Sequence, residues 1–132
     1  MESDFIIINI LINNIKFIST LIDSGCSCYV VIDKSLVVFM NFKCIKIKPR
    51  LLEGIMGGPR LNINKVTCFN IDLDRHKRRI VYTYVIRDLE EPLILGRPWM
   101  NEDLMEIKPA DGTLFIGTSG ISIKNIKTKP II

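Results

Sequence analysis

"STLIDSGCSCYVVID", residues 19–33, decides how the rest of the chain is read. An apolar run ends on an acid, Asp23, and passes straight into Ser24-Gly25. A carboxylate is expensive to bury unless hydrogen bonds or a partner compensate it. Two readings of Asp23 are open from these residues. It opens a turn, since Asp, Ser and Gly are common turn residues. Alternatively, it is a carboxylate held at a strand end among small neighbours for chemistry. The rest of the chain has to separate them.

The chain has 132 residues, 48% of them hydrophobic and 24% charged. That is the composition of a folded domain and not of a disordered segment. Its length suits one domain over 1–132, with a core at about 6–126. Ile, Leu and Val dominate the apolar residues, which favours strands. The longest apolar stretches, such as "FIIINILI" (5–12), are too short to span a bilayer, so no membrane segment is expected. "MESDF" lacks a basic region, so no signal peptide is expected. Cys26, Cys28, Cys44 and Cys68 form no C-x-x-C pair, and His76 is the single histidine. These residues predict no structural metal and no cofactor. Unpatterned cysteines without a signal peptide predict free thiols in a reducing, cytoplasmic setting. A net charge of +4 is mild and does not by itself imply a nucleic-acid partner.

Short strands with brief breaks fill most of the chain. "FIIINILI" (5–12), the turn "NN" (13–14) and "IKFISTLI" (15–22) make a hairpin that delivers Asp23 at its end. "YVVID" (29–33) is a further strand, and "KSLVVFMNF" (34–42) one or two helical turns capped by Asp33 or Ser35. "CIKIK" (44–48) is expected to stop before Pro49. "LLEGIMGGPRLNI" (51–63) reads as a hairpin with a glycine-rich tip. "VTCFNIDL" (66–73) and "IVYTYVI" (80–86) are strands joined by a charged turn, "DRHKRR" (74–79). "PLILG" (92–96) is a short buried strand, and Pro98 starts a short helix, "PWMNEDLM" (98–105). "GTLFIG" (112–117) and "GISIKNI" (120–126) close the chain as strands. The pattern predicts an all-β, orthogonally packed closed barrel with little helix.

Elimination narrows the chemistry. With its one histidine in a solvated basic turn, the chain offers no Ser-His or Cys-His nucleophilic pair. It has no phosphate loop and no G-x-G-x-x-G. The run Arg75, Lys77, Arg78, Arg79 has no interleaved aromatics on which bases could stack, so it reads as a charged hairpin turn and argues against a nucleic-acid partner. Most carboxylates lie in polar turns: Asp72, Asp74, Asp88, Glu90, Glu91, Glu102, Asp103 and Asp111. Asp23 alone is strand-terminal and flanked by small residues. Two carboxylates brought to contact cannot both ionise and share one proton. One then serves as base toward a water and the other as acid toward a carbonyl oxygen. That is peptide hydrolysis without metal or covalent intermediate.

"LIDSGCS" (21–27) resembles the apolar-x-Asp-Ser/Thr-Gly-Ala/Ser/Cys signature of retropepsin-type aspartic proteases. "PLILGRPWM" (92–100) resembles the apolar-apolar-Gly element and short helix that follow it in those enzymes. "LIDSGCSCYVVI", "PRLLEG" and "LILGRPWM" together look most like the proteases of gypsy-type, fungal retrotransposon polyproteins. The resemblance implies a small retropepsin-like barrel that cleaves peptide bonds of a polyprotein as a homodimer. By it Asp23 matches the catalytic aspartate and Ser24 the hydroxyl that braces the two active-site loops. Gly25 matches the glycine that lets backbone approach the carboxylates. Ile94, Leu95 and Gly96 match the apolar element behind the catalytic loop. Gly54, Ile55, Met56, Gly57 and Gly58 match a flap over substrate. "RPWM" stands where retroviral enzymes carry an Arg-Asn/Asp pair, so the ion pair that supports their loop is not implied here.

The competing reading keeps the fold and drops the activity: a binding or assembly module with weak or no proteolysis. Asp-Ser-Gly occurs once in the chain. Catalysis by two aspartates therefore requires two chains.

Overall fold

Four inward isoleucines start the barrel. In β1 (Phe5–Ile12), Ile6, Ile8, Ile10 and Ile12 are all buried while Phe5 is exposed, the two-residue alternation of a strand with one face on a core. Asn13 and Asn14 both take positive φ, 51° and 57°. That left-handed pair matches the right-handed twist of the flanking strands and folds the chain back into a hairpin. The return strand β2 (Lys16–Asp23) pairs from Ile12↔Lys16 to Phe5↔Asp23.

The computed structural model describes residues 5–52 and 60–126. Within them β2 is followed by β3 (Val30–Asp33), α1 (Lys34–Met40), β4 (Ile45–Leu52), β5 (Leu61–Leu73), β6 (His76–Ile86) and β7 (Leu93–Leu95). Then come α2 (Arg97–Glu102), β8 (Met105–Lys108), β9 (Thr113–Ile116) and β10 (Ile121–Lys124). The main sheet runs β1-β2-β7-β3-β6-β5-β4, and β1 also pairs β5 at Leu11↔Asp72 and Ile12↔Ile71. That second pairing closes six strands into a barrel and leaves β4 as an outer strand on β5. Among the described residues, strand makes up 58% and helix 11%, in line with the all-β barrel expected from the sequence. The core joins Ile8, Ile10, Ile32, Phe69 and Leu93 to Trp99 of α2. A separate sheet, β10-β9-β8, adds Leu114 and Ile116 to the same core. The Ile126 N–H donates to Ile7 O at 2.8 Å, tying the last described residue to β1.

Several local expectations shift. The charged turn shrinks to Asp74-Arg75, both at positive φ, and His76 to Arg79 belong to β6. β4 runs through Pro49 instead of stopping before it. An outer strand with a register shift between Lys46 and Arg50 can accept a residue that has no N–H to donate. The helix after Pro98 ends at Glu102, and "MEIK" becomes the strand β8, which was not expected. Asp33 caps α1, accepting from the Ser35 N–H at 3.0 Å, and Asn41 ends the helix at φ 57°. Among the described residues, no helix is long and apolar enough to cross a membrane.

Candidate active site

Asp23 is the last residue of β2 and is 2% exposed. Its Oδ1 accepts the Gly25 N–H at 2.9 Å, and its backbone carbonyl accepts the Cys26 N–H at 3.1 Å. The side chain therefore organises a turn, and the carboxylate is held at a strand end out of bulk water. A carboxylate that accepts a backbone N–H has its orientation fixed before any substrate arrives.

The support for this turn comes from far along the chain. β7 is inserted between β2 and β3. It runs parallel to β2 through Leu21↔Ile94 and Ile22↔Leu95, and antiparallel to β3 through Val31↔Ile94 and Val30↔Leu95. Residues 24–29 thus cross over the C-terminal end of β7. The Gly96 N–H donates to Tyr29 O at 3.0 Å and the Arg97 N–H to Cys26 O at 2.8 Å. Arg97 Nε adds a bond to Ser24 O at 2.7 Å. A Cβ at position 96 would lie 1.9 Å from Cys28 O and 2.7 Å from Cys26 O, so only glycine lets the two segments approach this closely. Ile94 packs with Leu21, Cys26 and Val31 in one apolar cluster beside Asp23. The structure thus brings Asp23, Ser24 and Gly25 together with Ile94, Leu95 and Gly96. Gly54, Ile55, Met56, Gly57 and Gly58 lie outside the described residues. The strands before and after them pair as far as Leu52↔Leu61.

The cysteines of the loop differ in character. The bond between the two thiols, together with burial, pushes Cys26 up from its ordinary value. The same bond, aided by Ser27 and the positive charge of Arg50, brings Cys28 down to about 7 against the effect of burial. All four cysteines are free thiols. Among the described residues, no group of three His, Cys, Asp or Glu side chains could hold a metal ion.

One residue beside the site was misread. Asp103 was grouped with carboxylates in polar turns, yet it is 1% exposed. It accepts from Trp99 Nε1 at 2.5 Å, His76 Nε2 at 2.7 Å, Arg78 Nε at 3.3 Å and the Thr118 hydroxyl at 3.4 Å. Burial raises the carboxyl's affinity for a proton. The bonds from His76, Arg78 and Trp99 outweigh it, and the net effect holds Asp103 below the usual carboxylate range. His76 is accordingly not a solvated turn residue: its side chain is 12% exposed. The cluster fastens α2, which begins at the loop brace Arg97, to β6. The one signal in the sequence was the spacing of Trp99 and Asp103, four apart and so on one helix face. A second buried acid, Asp33, accepts from the N–H groups of Ser35 and Leu89, the latter at 2.8 Å, and so fixes the segment that leads into β7.

A closed six-stranded barrel with an Asp-Ser-Gly turn at a strand end, crossed behind by a short inserted strand, defines a retropepsin-like domain. Comparison with solved structures agrees. The chain is similar to the retroviral protease-like domain of Ddi1 from Leishmania major, with a TM-score of 0.65 and 17% identity over 96% of this chain and 97% of that one. It is also similar to a retropepsin-like aspartic protease from Rickettsia conorii, with a TM-score of 0.51 and 19% identity over 82% and 87% of the two chains. No protein-family model and no curated protein sequence matches it. At these identities the likeness establishes the fold.

Proposed function

We propose that the chain is an aspartic endopeptidase domain that acts as a two-fold homodimer, with one Asp23 from each protomer at the axis. The observation that carries this reading is the nearly buried Asp23 carboxylate, oriented by the Gly25 N–H on a loop braced by Gly96 and Arg97. Two such carboxylates at contact hold one proton between them. The ionised one takes a proton from a water, whose oxygen bonds to the scissile carbonyl carbon. The protonated one gives its proton to the carbonyl oxygen. The tetrahedral adduct then collapses: one of its two hydroxyls returns a proton to the second carboxylate as its C=O forms, the C–N bond breaks, and the amine leaves with the proton first taken from water, which restores the singly protonated pair. The substrate is polypeptide, and the motif resemblance points to the polyprotein of a gypsy-type retrotransposon. By the motif resemblance, Ser24 braces the paired loops.

The test is Asp23→Asn. It should abolish cleavage of a peptide library while circular dichroism stays that of the parent. A variant that cuts as well as the parent would remove Asp23 from the mechanism. A parent that cuts nothing as a verified dimer would leave the fold serving a binding or assembly role.

A further inference from the structure

The sheet face made by β3, β6, β5 and β4 carries an open groove of about 740 Å³, whose lining includes Tyr29, Ile47, Lys48, Arg50, Tyr82 and Tyr84. A neighbouring hollow of about 350 Å³ shares Tyr29 and Tyr82 and adds Arg78 and Arg79. Tyr82 and Tyr84 are two apart on β6 and so share a face. Tyr82 is 63% exposed.

The groove borders the apolar cluster that supports the candidate active site: Tyr84, in its lining, packs against the cluster to which Leu21, Cys26 and Ile94 belong. Arg50 Nη1 donates to the Tyr84 hydroxyl at 2.7 Å, and its guanidinium carbon lies 5.9 Å from that ring's centre. The guanidinium is thereby held at the groove's edge, and Tyr84 takes one of its five N–H donors. No carboxylate lines either hollow. Two acids approach the second hollow: Glu102, which faces the Tyr29 hydroxyl and is ion-paired with Arg78 at 3.0 Å, and the buried Asp103, which also pairs with Arg78. The rim is therefore positive at Lys48, Arg50 and Arg79. β4 bears Lys48 and Arg50 and ends the sheet, with one edge that no described strand pairs. Such an edge suits an extended chain.

We propose that this groove binds a part of the extended substrate polypeptide away from the scissile bond, and that it selects an aromatic side chain next to a carboxylate. The aromatic ring lies against Tyr82 and Tyr29 in offset or edge-to-face contact. The carboxylate meets Arg50 and Lys48. This rests on the endopeptidase reading and adds the substrate class to it.

The experiment uses the full chain carrying Asp23→Asn, so that binding is read without cleavage. Fluorescein-labelled, alanine-based decapeptides carrying a Glu-Phe, Lys-Phe or Glu-Ala pair are titrated by anisotropy. The Glu-Phe peptide should bind about tenfold more tightly than either other, a difference set by about 1.4 kcal/mol. Tyr82→Ser should erase the preference for Phe over Ala. Lys48→Glu with Arg50→Glu should reverse the preference toward Lys-Phe. Equal affinities for the three peptides, or preferences unmoved by these substitutions, overturn the proposal. If Tyr82→Ser changes the particle mass in solution and leaves the peptide preferences alone, the groove is an interface between copies and the proposal fails. Absence of proteolysis by the parent would refute the endopeptidase reading without altering this binding result.

Discussion

The indole N–H of Trp99 donates to the Asp103 carboxylate at 2.5 Å, one helical turn away at the end of α2. Both side chains are buried, and the same carboxylate oxygen accepts from His76. An ion in the interior is tolerable when every lone pair has a donor. Here donors arrive from α2, from β6 and from the turn after β9, so a single side chain holds three parts of the fold in register.

Removing that ion leaves buried donors without their acceptor. Asp103→Ala should lower the unfolding free energy by about 3–5 kcal/mol, the range for breaking one side of a buried charge pair. Urea denaturation followed by tryptophan fluorescence measures it directly, because Trp99 is the only tryptophan. A loss below about 1 kcal/mol, the worth of one neutral hydrogen bond, would mean the cluster is not held as an ion.

Acid should act through the same carboxylate and through Asp33. Both are held below the ordinary value for an aspartate because their hydrogen bonds outweigh burial. A folded-state value below the unfolded one means that the unfolded chain binds more protons between the two. Stability is then full above about pH 4 and falls as pH drops from the unfolded value through the folded one. Each group contributes a slope of at most about 1.4 kcal/mol per pH unit. Urea midpoints from neutral pH down to strong acid should be flat and then decline, and Asp103→Asn should reduce the decline. A midpoint that starts to fall well above pH 5 would assign the loss to other groups.

Gly96→Ala is predicted to be among the most damaging single substitutions in the chain. Its Cβ would collide with two backbone carbonyls, which cannot rotate away as a side chain can. Overpacking costs about 1–3 kcal/mol even where side chains can adjust, and the cost here should exceed that range. Any folded fraction should lose cleavage activity, since relief requires moving the 24–29 loop off β7. An alanine variant with parental stability and activity would show that the loop is free to move.

The proposed dimer, with one Asp23 from each protomer, requires activity to depend on concentration. Specific activity should fall on dilution in step with the loss of dimer mass, because dilution shifts the association equilibrium by mass action. Specific activity independent of concentration in a verified monomer would exclude the shared pair, whatever the fold.

The barrel was legible because its strands advertise themselves. Alternating isoleucines in β1, the Asn13-Asn14 turn and the Val-Ile run of β3 each carry a local signal that the closed sheet only confirms. Asp23 stood out for the same reason: its neighbours, not its distant partners, set it apart. What stayed hidden was set by contacts across the chain. Asp103 sits between Glu102, which is exposed, and Leu104, which is 66% exposed. By hydropathy the leucine belongs inside and the acid outside, and the fold inverts them because four donor residues converge where Asp103 points. His76 was read with its basic neighbours, yet its side chain turns inward in β6 while Lys77 faces out. The continuation of β4 through Pro49 depended on its being an outer strand, which no local pattern states.

The insertion of β7 between β2 and β3 also sets an order of events. Strands that neighbour each other in sequence can zip early, because the loops they close are short. β7 cannot: its two partners lie in the first quarter of the chain, and it must enter between them as a parallel neighbour of one and an antiparallel neighbour of the other. Contacts of such long sequence separation form slowly. On a ribosome, β2 and β3 emerge well before Leu93, and until then the Asp23 turn has nothing behind it. The site is completed only when the chain has been made through Arg97 and β7 threaded into place, so a nascent or truncated polypeptide ending before Gly96 carries the aspartate without the support that orients it.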